Sequence, residues 1–187
     1  NPALTERIPE VEMSKKGRRL LEIALSLILM HLIIVSCNSQ PKEVDLIFQS
    51  IEQGELGHPN YYEAMGPGLK IVSQPEEVKN LEGLITGSAQ QALLELDYSK
   101  YFVLAAFHGR RGSGGYGIQV DRVSRSDNTV KVNVELEEPK PQSVVADAET
   151  SPYHLIIVQK NGIWIQEIQF NLIADSTVLT SVSHDIP

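Results

Sequence analysis

From Tyr101 onward the sequence loses the helical period, and that loss limits what the chain can fold into. Tyr101–Phe107 is a continuous apolar run of strand length, the pattern of a central strand buried on both faces. Residues 116–120 alternate, and residues 129–136 alternate cleanly after an Asp127-Asn128 turn, so both predict strands with one buried and one wet face. Residues 153–158 and 163–170 flank Lys160-Asn161-Gly162, where Asn-Gly between apolar runs predicts a hairpin and antiparallel pairing. These five strands predict an α+β domain: a mainly antiparallel, sandwich-like sheet with one or two short helices on one side.

The preceding residues supply the helices. Residues 45–53 suit a short strand or a turn of helix, residues 57–68 are loop-rich, and residues 69–72 read as a strand. Ser73 is expected to cap a helix whose first turn holds Pro75, Glu76 and Glu77 and which Gly83 or Gly87 stops. Residues 88–96 predict a second helix with Ala89, Ala92, Leu93 and Leu96 on one face. Residues 171–187 carry no pattern that places them.

The chain has one cysteine, which excludes an intramolecular disulfide, a Cys-based zinc cluster and a CxxC redox pair. Its position is informative. Residues 1–12 are polar and without period, Met13 reads as the start, and Lys15, Lys16, Arg18 and Arg19 precede an almost wholly apolar stretch over residues 20–35. That order is a secretory signal, and the apolar stretch is short for a spanning helix. Glu22, Ser26 and His31 lower its hydrophobicity further, against an uncleaved anchor. Ile34-Val35-Ser36-Cys37 resembles the lipobox of bacterial lipoproteins. The resemblance implies a diacylglyceryl group on the Cys37 thiol, cleavage before Cys37, acylation of the new amine and attachment to an envelope membrane. The expected organisation is an extension and signal peptide over residues 1–36, a lipidated tether over 37–45 and a single β-rich domain over 46–187.

Formal net charge is −8. Residues 1–36 hold five basic and four acidic residues, so the remainder carries 11 against 20, a balance that repels phosphate backbones and argues against nucleic acid as a partner. His58, His108, His154 and His184 show no metal-binding spacing, so no metal and no cofactor are expected. There is no GxSxG and no cysteine left to act as nucleophile once Cys37 is acylated, so the chain is expected not to be an enzyme.

Two loops remain. Residues 108–116, His-Gly-Arg-Arg-Gly-Ser-Gly-Gly-Tyr, could form an anion-binding nest beside Arg110 and Arg111, yet lack the order and following helix of a phosphate loop. A glycine-rich hairpin with solvated arginines explains the same residues, as does a partner-contacting loop of Arg110, Arg111, Ser113, Gly114, Gly115 and Tyr116. Residues 137–153 form a long return marked by Pro139, Pro141 and Pro152, and its acidic start reads as a solvated strand end.

Residues 102–120, followed by Pro139-Lys140-Pro141 and residues 150–158, resemble the C-terminal domain family of the protease-complex subunit PrcB, over about residues 70–160. The shared order is an apolar strand, a glycine loop ending Gly114-Gly115-Tyr116, an alternating strand, a proline-rich return and Pro152-Tyr153-His154. The basic insert Arg110-Arg111-Gly112 departs from that pattern. Members are often exported lipoproteins, so the resemblance implies binding or assembly with a protein partner, in a protease complex, rather than catalysis. Ser113-Gly114-Gly115-Tyr116 also resembles the glycine-aromatic loop of chagasin-like peptidase inhibitors, although Trp164 follows Gly162-Ile163 without that family's Arg-Pro-Trp triplet. An envelope hydrolase, with Ser113 or Glu138 in its site, is the third reading.

Overall fold

The computed structural model describes residues 42–187 except 58, 59, 61, 165 and 166. The signal segment, Cys37 and the start of the tether lie outside the described residues. Among the described residues nine strands form two sheets. The first sheet holds β1 (Val44–Asp45), β5 (Gly117–Ser126), β6 (Thr129–Glu137), β8 (Glu167–Ala174) and β9 (Thr177–Asp185), in the order β1-β5-β6-β8-β9. The second holds β2 (Phe48–Gly57), β3 (Gly68–Val72), β4 (Tyr101–Phe107) and β7 (Thr150–Gln159), in the order β2-β7-β4-β3. A 3₁₀ helix (Pro75–Leu81) and α1 (Gly87–Leu94) complete the domain. The α+β, sandwich-like class is therefore observed; β1 pairs within the stretch expected as tether, and burial begins at Leu46, the first residue of the expected domain.

Burial explains the two kinds of strand pattern. In β4, Phe102, Leu104 and Ala106 face the first sheet, while Val103, Ala105 and Phe107 meet a second core of Val78, Leu81, Ala89 and Leu93 from the helices. Both faces of β4 are dry, so the run is continuous. The first sheet covers only one face: Val130, Val132 and Val134 of β6 and Ile168, Phe170 and Leu172 of β8 point inward, with polar residues between them.

Several sequence expectations change. The Asn161-Gly162 hairpin does not form: both edges of β7 are already taken, by β2 and β4, so the chain crosses to the other sheet and β8 pairs with β6 in parallel. Gly162 takes φ 77°, but Asn161 is not left-handed, as a type I′ turn requires. The two-residue hairpin lies instead at Asp175-Ser176, with φ of 47° and 64°, and makes β9 from residues that had no readable pattern. Strand β5 runs past Val120 because a bulge between Val120 and Arg122 inserts one residue and brings Val123 inward. Ser73 does not cap the 3₁₀ helix. Gln74 is the N-cap, without a side-chain bond, and Ser73 instead donates its N–H to Glu77 Oε2 at 2.7 Å. Ala92 is exposed rather than on the buried face of α1.

The registers place the connections at two poles. Residues 62–67, 108–116 and 138–149 lie at the pole where Gly57 pairs with Thr150, Phe107 with Tyr153 and Gly117 with Glu137. The described chain begins at the opposite pole, with Val44 against Arg125, the turn 127–128 and residues 160–164 of the crossing. Ten residues of β7 separate the poles by about 30 Å.

Candidate functional site

The site begins at Gly109, where β4 ends. Its φ of 97° is open to glycine, and a Cβ there would lie 2.5 Å from the Met65 carbonyl oxygen. This close approach lets Arg110 N–H donate to Ala64 O at 2.8 Å. On the other side Arg111 and Thr150 exchange N–H···O bonds of 2.8 and 2.9 Å, Gly114 N–H donates to Ala146 O at 3.0 Å, and Thr150 Oγ1 donates to Ser113 O at 3.0 Å. Loop 108–116 is thus clasped between residues 62–67 and 139–150.

Within that clasp the sequence-predicted residues divide. Arg111 turns inward: Nε donates to His108 Nδ1 at 2.7 Å, Nη2 donates to His108 O at 3.0 Å, and its guanidinium sits 5.3 Å from the centroid of Tyr116. Tyr116 also meets His108 edge to face, at 5.5 Å. Gly114 is buried, and Gly115 (φ 86°) abuts Val145 and Pro139. The cation and the aromatic ring shape the loop, and Arg110 and Gly112 carry its outer surface. Arg110 faces Glu149 at 3.9 Å, an exposed ion pair of small energetic weight.

The two clasping loops also carry exposed apolar side chains that no pattern in the sequence singles out: Met65 at 61% exposure, Val144 at 103% and Val145 at 37%. They lie at the same pole of the domain, on loops joined to residues 108–116 by backbone hydrogen bonds.

Two serine–histidine pairs also form, and their hydrogen-bond polarity differs from that of a triad. Val120 N–H donates to His154 Nδ1 at 2.8 Å, so in the neutral ring Nε2 carries the proton and faces Ser50 Oγ at 2.9 Å; it has no lone pair to accept from that serine. This contact, with Gln53 Nε2 donating to Ile118 O at 3.0 Å, instead satisfies the outer edge of β5. In the second pair His184 Nε2 lies 2.9 Å from buried Ser73 Oγ, but Glu77 approaches the same nitrogen at 3.3 Å and so does not orient the ring from its far side. Among the described residues, no group of three His, Cys, Asp or Glu is placed to hold a metal ion.

His108 and His154 share an electrostatic condition. Burial lowers the pKa of both rings, aided at His108 by the Arg111 charge; Glu138 and Asp121, respectively, offset it in part. The unfolded chain therefore takes up these two protons first. Stability from this source is complete above about pH 6.5 and falls as pH drops toward the folded values, by up to roughly 1.4 kcal/mol per pH unit for each ring. Urea midpoints measured between pH 7.5 and 5.5 should decline; a flat profile would mean that the rings are not held neutral.

No curated protein and no solved structure matches the chain. Residues 102–159, from β4 through the clasped loops to the end of β7, match the family model described as PrcB C-terminal; the match spans less than half of the chain and stops short of β3 and the helices expected within the resemblance.

Proposed function

We propose that this chain is an envelope-tethered, non-catalytic lipoprotein that holds a protein partner at its loop pole. The carrying observation is that exposed Met65, Val144 and Val145 stand on the two loops that backbone hydrogen bonds pin to residues 108–116. A preorganised surface loses little entropy on binding. The match to the PrcB C-terminal family supports association with a protease complex. Strand polarity supports the tether, because the described chain begins at one pole and presents these loops at the other. Trp164 stands at the entry pole, remote from Ser113–Tyr116, which disfavours an inhibitor that needs both features at one end.

Two measurements test the reading. The intact mass of membrane-extracted protein should equal residues 37–187 plus lipid, and Cys37→Ala should abolish both lipid and membrane retention; a chain keeping the residues before Cys37, without lipid, would refute the tether. Capture from solubilised membranes should recover a peptidase-containing partner, lost on Met65→Asp plus Val144→Asp. These exposed substitutions should change stability by less than about 0.5 kcal/mol. Recovery of no partner dependent on this pole would refute the binding function.

A further inference from the structure

The exposed apolar side chains occupy two poles, and the entry pole has its own set. Val44 is 49% exposed, Ile47 66% and Ile163 72%. Val44 and Ile163 line one groove with Lys42 and Arg125, and Ile47 joins the same end through its carbonyl, which accepts from Gln159 N–H at 2.9 Å. Arg125 lies flat on Trp164, 3.9 Å from the ring centroid, and donates from Nη2 to Ile163 O at 2.9 Å, which holds the segment around Ile163 in place. Glu43 pairs with Arg122 and Lys131, and Asp45 with Arg122, while Asp127 lines the same groove beside Arg125.

We infer that this entry pole is a membrane-contact face, on which Val44, Ile47 and Ile163 enter the boundary between headgroups and acyl chains while Lys42 and Arg125 meet anionic headgroups. The inference rests on the lipidated-tether reading above. Its independent support is geometric. Only residues 38–41 separate Cys37 from Lys42, and even fully extended that connection spans about 18 Å, less than the distance between the poles. An acylated Cys37 would therefore keep this pole, and not the loop pole, within reach of the lipid surface. Three apolar side chains with adjacent cations have the composition of a bilayer-facing surface. Seating this pole also fixes the orientation of the loop pole, which then stands about 30 Å from the membrane.

The chain has one tryptophan, which makes the test direct. The purified, full-length lipoprotein is placed in phosphatidylethanolamine–phosphatidylglycerol vesicles carrying a lipid spin-labelled near the headgroup, and Trp164 emission is recorded beside the intact mass. The expected result is lipidated protein whose emission is quenched by the labelled lipid, and recovery of that emission in Ile47→Asp plus Ile163→Asp protein of unchanged lipidation and thermal midpoint. Lipidated protein with unquenched Trp164 would overturn the membrane-contact face and leave the tether standing. Quenching unaltered by the two substitutions would also overturn it. Protein without lipid on Cys37 would overturn the tether and this inference together.

Discussion

Phe102→Ala is expected to lower domain stability by about 4 kcal/mol, a fall in thermal midpoint of roughly 10–15 °C. Phe102 is fully buried and meets Trp164 and Phe170 edge to face, with centroids 5.2 and 5.9 Å away. These three rings come from β4, the crossing between the sheets and β8, and truncation leaves a cavity whose walls are held by two different sheets. Such walls cannot close without parting one sheet from the other, which places the cost at the high end for a core truncation. Trp164 emission should also shift to longer wavelength as the ring loses cover. Urea unfolding checks the size of the effect, and a cost below about 1 kcal/mol would mean that the sheets do not share this core.

The same two-sheet arrangement explains how much of the fold can be read from the residues. Strand β4 is legible to its ends because both of its faces are dry, and β6 because only one is. Strand β5 was legible only to Val120, since a bulge breaks the alternation by which strands are recognised. The Asn161-Gly162 pair misled because local turn chemistry carries no information about whether β7 has a free edge. Asp175-Ser176 went unseen for the converse reason: a tight hairpin built without glycine emits little signal. At the candidate site the glycine-rich loop was visible as composition. Its inward-turned Arg111 and the exposed Met65 and Val144 were not, because exposure at a pole is decided by three loops far apart in sequence.

Gly109→Ala should separate the shape of that pole from its chemistry. An added Cβ would meet the Met65 and Gly66 carbonyl oxygens at 2.5 and 2.7 Å, and both are backbone atoms that cannot swing aside as a side chain would. The φ of 97° adds strain for any L-residue. The lowest-energy escape is to push residues 65–66 away, which breaks the Arg110 N–H bond to Ala64 O and releases Met65 from its place in the clasp. Strain and lost clasp together should cost about 3 kcal/mol, and partner capture should fall with them. Gly112→Ala, three residues on, is the matched control: no atom lies within 4 Å of its new Cβ, its φ is ordinary, and both stability and capture should stay unchanged. Arg110→Glu completes the set, since it leaves the backbone clasp in place while reversing a charge on loop 108–116, and should abolish capture at wild-type stability. If Gly109→Ala retains full capture despite its stability loss, the partner does not read the assembled pole, and binding must lie elsewhere on the domain.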